Sequence, residues 1–236
     1  MKPTLDVFLT EFAAMLNGKR TAREAESTLG PSPSGPTRLG LYKTLVQRQQ
    51  VSVIDEFFAA VRVAAQSRAG GSFEQLRDAY LEAHPPWHWF PTRAAEHFPA
   101  FLEAQKASTE LVELADFAWA RHQVLHAERP DTLVVRHYTF AVKRFSNEVE
   151  RDGRTKGRPV KEPETWLMGR SHLTESLVLV VPSVAALVAI EVLQSGVWSD
   201  ELPAVGREAL FTEVESLIDL GLLPRASRAE LESVLP

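Results

Sequence analysis

Thr165-Trp166-Leu167-Met168-Gly169-Arg170, the six residues Ser171 to Ser176, and Leu177-Val178-Leu179-Val180-Val181 together decide the fold class of this chain. Both flanks are short and rich in aliphatic and β-branched residues, and a polar stretch separates them, which is the pattern of two strands joined by a turn. Upstream, Thr132-Leu133-Val134-Val135-Arg136-His137-Tyr138-Thr139-Phe140-Ala141-Val142 has the same texture, with partial alternation, and predicts another strand. Arg151 to Pro163 between them is polar and predicts a loop. Downstream, Pro182 is placed at the start of a helix, where its missing N–H does no harm. That helix runs to Gln194 and stops at Ser195-Gly196. A last helix, Val205 to Leu220, ends at Gly221. Strand, hairpin, helix and helix make a small α+β unit of winged-helix type.

Before Pro130 the period is helical. Leu5, Phe8, Leu9, Phe12, Ala13 and Leu16 recur at helical spacing, and Asn17-Gly18 is a stop signal. Gly30-Pro31-Ser32-Pro33-Ser34-Gly35-Pro36 is a loop. A helix restarts after Thr37 and carries Leu41, Leu45, Val46, Val53, Ile54, Phe57, Phe58 and Val61. Ser72 with Gln75 three residues later forms a capping-box pattern. The helix it opens is expected to bury Phe73, Leu76, Ala79, Tyr80 and Leu81 and to stop at Pro85-Pro86. Phe98 to Gln105 and Thr109 to Glu128 predict two more helices. The expected fold class is therefore α+β, with an all-helical bundle over residues 1–128 and a small winged-helix-like α+β domain over 129–236.

Composition narrows the function. The chain has 236 residues, 44% hydrophobic and 24% charged, with ample apolar content for a core. Its net charge of -5 argues mildly against a general nucleic-acid binder, which usually presents a basic face. No cysteine is present, which excludes disulfides, thiolate zinc sites, iron–sulfur clusters and cysteine nucleophiles. No apolar signal region follows Met1-Lys2-Pro3-Thr4, and the apolar run from Leu177 to Val192 is broken by Pro182 and too short to span a bilayer. The expected setting is the cytoplasm.

Catalytic signatures are missing. There is no Gly-Xaa-Ser-Xaa-Gly, no phosphate loop and no dinucleotide fingerprint. His122 and His126 share a helix face at a spacing that suits a metal, yet Gln123 stands where the zincin pattern needs Glu. They read as surface or partner-interface histidines, with metal binding as the alternative. His84-Pro85-Pro86-Trp87-His88-Trp89-Phe90-Pro91 is a stiff aromatic segment. It is either an inter-helix loop packing its rings inward or a preformed contact surface, since Trp is enriched at interface hot spots. On the second reading His84, Trp87, His88 and Trp89 are candidate partner-interface residues. Arg151, Arg154, Lys156, Arg158 and Lys161 stand against the single acid Asp152 between 151 and 161. That run is a solvated loop, or else a contact for phosphate or an acidic peptide. Helix 183–194 has Glu191 as its only charge and suits a core rather than a major groove. No catalytic, cofactor or metal residue is assigned in this chain.

Four segments, in order, carry a resemblance: Arg38-Leu39-Gly40-Leu41-Tyr42-Lys43; Phe73-Glu74-Gln75-Leu76-Arg77-Asp78-Ala79-Tyr80-Leu81-Glu82-Ala83-His84-Pro85-Pro86; Phe98-Pro99-Ala100-Phe101-Leu102; and Leu114-Ala115-Asp116-Phe117-Ala118-Trp119-Ala120-Arg121. Their spacing resembles the helical N-terminal domain of the HvfC/BufC-type family, which carries a DNA-binding label and includes the methanobactin-biosynthesis partner protein. The strand ending at Arg170, the apolar strand, the helix ending at Gly196 and Leu217-Ile218-Asp219-Leu220-Gly221-Leu222-Leu223 are similar to its C-terminal domains. The resemblance covers about residues 5–223. It departs at Ala118, where the family often has Glu before the tryptophan.

Such a resemblance implies a non-catalytic subunit that forms a heterodimer with a multinuclear non-haem iron enzyme. Its helical half would dock on that enzyme, which would hold the iron. The smaller half would bind the leader of a ribosomal precursor peptide for post-translational modification. A strand edge can recruit such a segment through main-chain hydrogen bonds. The candidate edges are 132–142 and 165–170, which makes Val135, Arg136, Tyr138, Trp166, Leu167 and Arg170 the candidate peptide-binding residues. The alternative is a DNA-binding transcriptional regulator.

Overall fold

The computed structural model describes residues 4–30, 37–66, 72–85, 91–127, 132–153, 158–199 and 202–235. The fold is α+β. Helices α1 (Leu5–Leu16), α2 (Ala22–Leu29), α3 (Thr37–Phe57), α4 (Ala59–Gln66), α5 (Phe73–Ala83), α6 (Phe98–Ala104) and α7 (Thr109–Leu125) come first, with a 3-10 turn at Pro91–Ala95. Strand β1 (Val134–Tyr138), helix α8 (Val142–Asp152) and the hairpin β2 (Glu164–Arg170) and β3 (Leu177–Val180) follow. The chain closes with α9 (Val184–Ser195), α10 (Arg207–Asp219) and α11 (Ser227–Val234). None of the described helices is long and apolar enough to cross a membrane.

The chain divides into two compact units, and the division is not a single cut at residue 128. One unit comprises Met1–Asp116 with Arg144–Pro159; the other comprises Phe117–Lys143 with Val160–Pro236. The boundary therefore falls inside both α7 and α8.

The helical unit is built on aromatic packing. Ser72 caps α5 as its sequence predicts: its hydroxyl accepts from the Gln75 N–H, and the Gln75 side chain returns to the Ser72 N–H. Phe73 and Tyr80, seven residues apart, then share the buried face of α5. Phe98 lies 4.5 Å from Phe58 and 5.1 Å from Tyr80, ring to ring, and Tyr80 meets Phe101 at 5.4 Å. The two Tyr80 pairs are edge-to-face, a geometry that adds about 0.5–1.5 kcal/mol each beyond the buried area. Leu76 and Leu81 are half-buried, but Ala79, expected in the core, is exposed.

Tyr80 gives this core a pH dependence. Its hydroxyl donates to the Ala94 carbonyl at 2.6 Å, and burial pushes the phenol up to about 12. Between its ordinary value of 10.0 and about 12, the unfolded chain ionises while the folded one stays neutral. Stability is therefore fully present below pH 10 and falls as pH rises through that window, by about 2 kcal/mol at its end. Tyr80→Phe should lose this alkaline component in denaturant melts taken between pH 9 and 12. A variant with the same alkaline slope as the native chain would assign the slope to another group.

Several boundaries differ from the sequence reading. The strand expected over 132–142 ends at Tyr138, and α8 begins at Val142 and takes in Arg151 and Asp152, where the polar sequence predicts a loop. Val142, Phe145, Ser146 and Val149 are its buried stripe, so the helical period was present in the sequence. Pro182 does not open α9. Ser183 does, its hydroxyl accepting from the Ala186 N–H at 3.0 Å. Helices α2 and α11 had no counterpart in the expectation. Thr21 and Glu24 form a reciprocal capping box before α2, a signal the sequence also carried.

The second unit is organised around an antiparallel sheet in the order β1-β2-β3. Val135 and Val180 flank Leu167 in register, and Gly169 faces Val178. This face packs on a core cluster that includes Ala189, Val192, Leu210, Val214 and Leu222. At Gly169 a Cβ atom would run into the Leu222 and Leu133 side chains, so glycine is what lets them close over the central strand. On the opposite face, Tyr138 meets Phe117 edge-on at 5.9 Å, and Met168 is fully buried. A strand covered on both faces reads as a nearly continuous apolar run, which explains Trp166-Leu167-Met168.

Candidate functional site

The central position of β2 removes one of the two candidate edges. Both of its sides are paired, with β1 from Val134↔Met168 to Tyr138↔Glu164, and with β3 from Leu167↔Val180 to Arg170↔Leu177. Leu167 and Met168 at its centre are paired on both sides. Leu167 is fully buried, and Trp166 and Tyr138 are buried as well. These three side chains hold the sheet together and are out of reach of a peptide.

Trp166 is tied to the start of α8. The Lys143 ammonium sits 4.0 Å from its ring centroid, and the Lys143 backbone N–H donates to Glu164 Oε1 at 3.0 Å. A cation against a desolvated indole face is worth about 2 kcal/mol. The indole Nε1 is buried with no hydrogen-bond partner.

Of the remaining candidates, Val135 packs against the core cluster. Arg136 turns back along β1, its guanidinium donating to the Val135 carbonyl at 3.2 Å. His137 is exposed and its ring meets Thr165 Oγ1 across the strands at 2.9 Å. Arg170 pairs with Glu175 at 3.5 Å.

The two edges of the sheet thus differ in chemistry. β1 carries a cation and a histidine, the kind of polar decoration that blunts an edge. β3 carries only Leu177, Val178, Leu179 and Val180, each half-exposed. Val181 and Val184 beyond it are 68% and 57% exposed. Among the described residues no strand pairs with the outer side of β3. The sequence predicts a strand over 177–181 without marking it as an edge. Its lack of any charge was the legible signal, but strand order is a tertiary property.

The turn before β3 is fixed from both ends. The Ser171 N–H donates to Ser176 O at 2.9 Å and the Glu175 N–H to Ser171 O at 2.7 Å. The His172 N–H donates to Gly221 O at 2.9 Å, which ties the turn to the end of α10. Gly221 has φ +71, and a side chain there would meet Ser171 Oγ and Leu173. The hairpin therefore presents β3 in one orientation.

Of the proposed partner-interface residues, His84 belongs to the helical unit and His122 and His126 to the sheet unit. His84 caps the end of α5, stacks on Tyr80 at 4.6 Å and lies edge-on to Phe101 at 5.8 Å. That contact makes it part of the aromatic packing. The rings of His122 and His126 are 4.3 Å apart, with Trp119 5.3 Å from His122. Trp87, His88 and Trp89 lie outside the described residues. Among the described residues no group of three or more His, Asp or Glu is placed to share a metal ion. In the basic run, Arg151 is bound to Asp152 at 2.8 Å, and its hydrogen bonds hold that carboxyl below the usual range. Arg158 and Lys161 are exposed, and Arg154 and Lys156 lie outside the described residues.

No family model matches the chain, and no curated protein matches it.

Proposed function

We propose that this chain is a non-catalytic subunit that captures the leader of a ribosomal precursor peptide by strand addition and presents it to a multinuclear non-haem iron enzyme. The observation that carries the reading is the outer edge of β3, a charge-free apolar strand with no partner strand among the described residues. Such an edge is a liability unless something pairs with it. A disordered segment laid along it gains main-chain hydrogen bonds and offsets its loss of conformational entropy. The winged-helix-like reading belongs to this proposal, with β2–β3 as the wing. So does the cytoplasmic setting.

The resemblance of the four helical segments supplies the enzyme partner. An exposed apolar face supports it: Leu5, Phe8 and Leu9 on α1 and Leu41, Tyr42 and Leu45 on α3 are between 39% and 74% exposed. Large exposed apolar areas on a globular chain mark contact sites. On this reading the iron belongs to the partner, and delivery works by raising the local concentration of the peptide. A DNA-reading role finds less support, because α9 buries Ala186, Val188, Ala189, Ile190 and Val192.

The test is calorimetric titration with a precursor leader encoded beside the gene for this chain. Capture with Kd in the micromolar range or better is expected, about 8 kcal/mol. It should change less than about threefold between low and high salt, and N-methylation of the leader backbone should abolish it. Duplex DNA bound tightly and with steep salt dependence, and no leader bound, would overturn the assignment. A concentration-dependent dimer with no leader binding would instead make the edge a self-contact.

A further inference from the structure

Apart from the β3 edge, the helical unit holds an open cleft of 410 Å³. Its walls come from the face of α3 that carries Lys43, Gln47, Gln50 and Val51, and from the face of α5 that carries Asp78, Leu81 and Glu82. Leu16, Asn17 and Gly18 at the end of α1 close one side, and Pro85 lies beyond α5. The spacing of these residues on each helix is that of a single stripe.

The lining has an unusual composition for a gap between helices. Gln50 is only 7% exposed, one helical turn before the buried Val53 and Ile54. Burying a carboxamide there costs free energy that an aliphatic residue would not. Asn17 also lines the cleft, and its Oδ1 is buried without a donor. With Gln47, three carboxamides surround an apolar lining of Leu16, Val51, Leu81 and Pro85. A carboxamide donates and accepts side by side, which matches the N–H and C=O of a peptide unit.

The charges give the ligand a sense. Asp78 is held by Arg77 at 2.8 Å, while Glu82 stands one turn further along α5, exposed. Lys43 is on the α3 wall. We infer that this cleft binds a short extended peptide segment, with an aliphatic side chain among Leu16, Val51 and Leu81, a basic residue at Glu82 and an acidic group at Lys43. A segment of about three residues suits a cleft of this size, which is on the scale of small ligand pockets. This site is separate from the β3 edge, and its occupancy does not depend on strand addition.

The probe is acetyl-Glu-Leu-Lys-amide, titrated into the full chain labelled with nitrogen-15. Amide shifts should concentrate on residues 16–18, 43–51 and 78–85, with Kd of about 1 mM or tighter. Acetyl-Glu-Ala-Glu-amide should bind at least about tenfold more weakly. Glu82→Lys, at an exposed position, should reverse the preference for the basic residue, and Gln50→Leu should weaken binding about tenfold without lowering the melting temperature. N-methylation that abolishes leader binding at β3 is irrelevant to these shifts, so the two sites fail separately. No shifts in the cleft up to about 10 mM, or equal binding of both peptides to the native chain, would overturn the inference. If Gln50→Leu does not fold, the Glu82→Lys preference decides alone, and an unchanged preference refutes the site.

Discussion

Leu167→Pro is expected to unfold the sheet unit outright, not to silence one edge. Leu167 is fully buried and pairs with Val135 on one side and Val180 on the other. Proline removes a ladder hydrogen bond and, in the middle of a sheet, has no edge to turn toward water. Loss of the leucine itself costs about 2–5 kcal/mol. Together these rival the 5–15 kcal/mol that typically holds a whole protein folded. Near-ultraviolet circular dichroism and a denaturant melt would register the loss. A variant that keeps its native melt while losing only leader capture would mean that β2 is an edge in solution.

Gly221→Val should cost about 3 kcal/mol, by two separable routes. Its φ of +71 is disfavoured for any residue with a Cβ and worst for a β-branched one. The added atoms would also overlap Ser171 and Leu173 in the turn that orients β3, and overpacking costs about 1–3 kcal/mol. For a chain of this size the combined loss lowers the melting temperature by about 6–12 °C. Adding Leu173→Ala should return part of the overlap cost and none of the backbone cost. A melting temperature within about 2 °C of the native value would mean that the turn does not rest on α10.

Local rules were legible in the sequence where the signal itself was local. The Ser72–Gln75 box, the 165–181 hairpin and the stop after α9 depend on residues a few positions apart. The capping box at Thr21–Glu24 and the Val142, Phe145, Val149 stripe are equally local signals, each adjoining a polar loop. What the sequence could not carry was strand order. Trp166, Leu167 and Arg170 look like an edge or a centre with equal ease, because an apolar run fits a strand covered on both faces as well as a sticky one. Burial of Tyr138 likewise depends on Phe117, twenty-one residues away. The amphipathic stripe of α1 identified a helix, but Leu5 and Leu9 on that stripe are exposed, so periodicity located the element and not its partner. The cleft was invisible for the same reason, since Asn17, Gln50 and Glu82 meet only through the packing of three helices.

The interleaving of the two units has a consequence for how this chain can be taken apart. A fragment beginning at residue 129 would keep Tyr138 but not Phe117, the ring that covers it. A fragment ending at 128 would lack Arg144–Pro159, which belongs with the helices. Neither half is a cassette that recombination could shuffle with one crossover. Exchange of the sheet unit between relatives would require 117–143 and 160–236 to travel together, with 144–159 left behind.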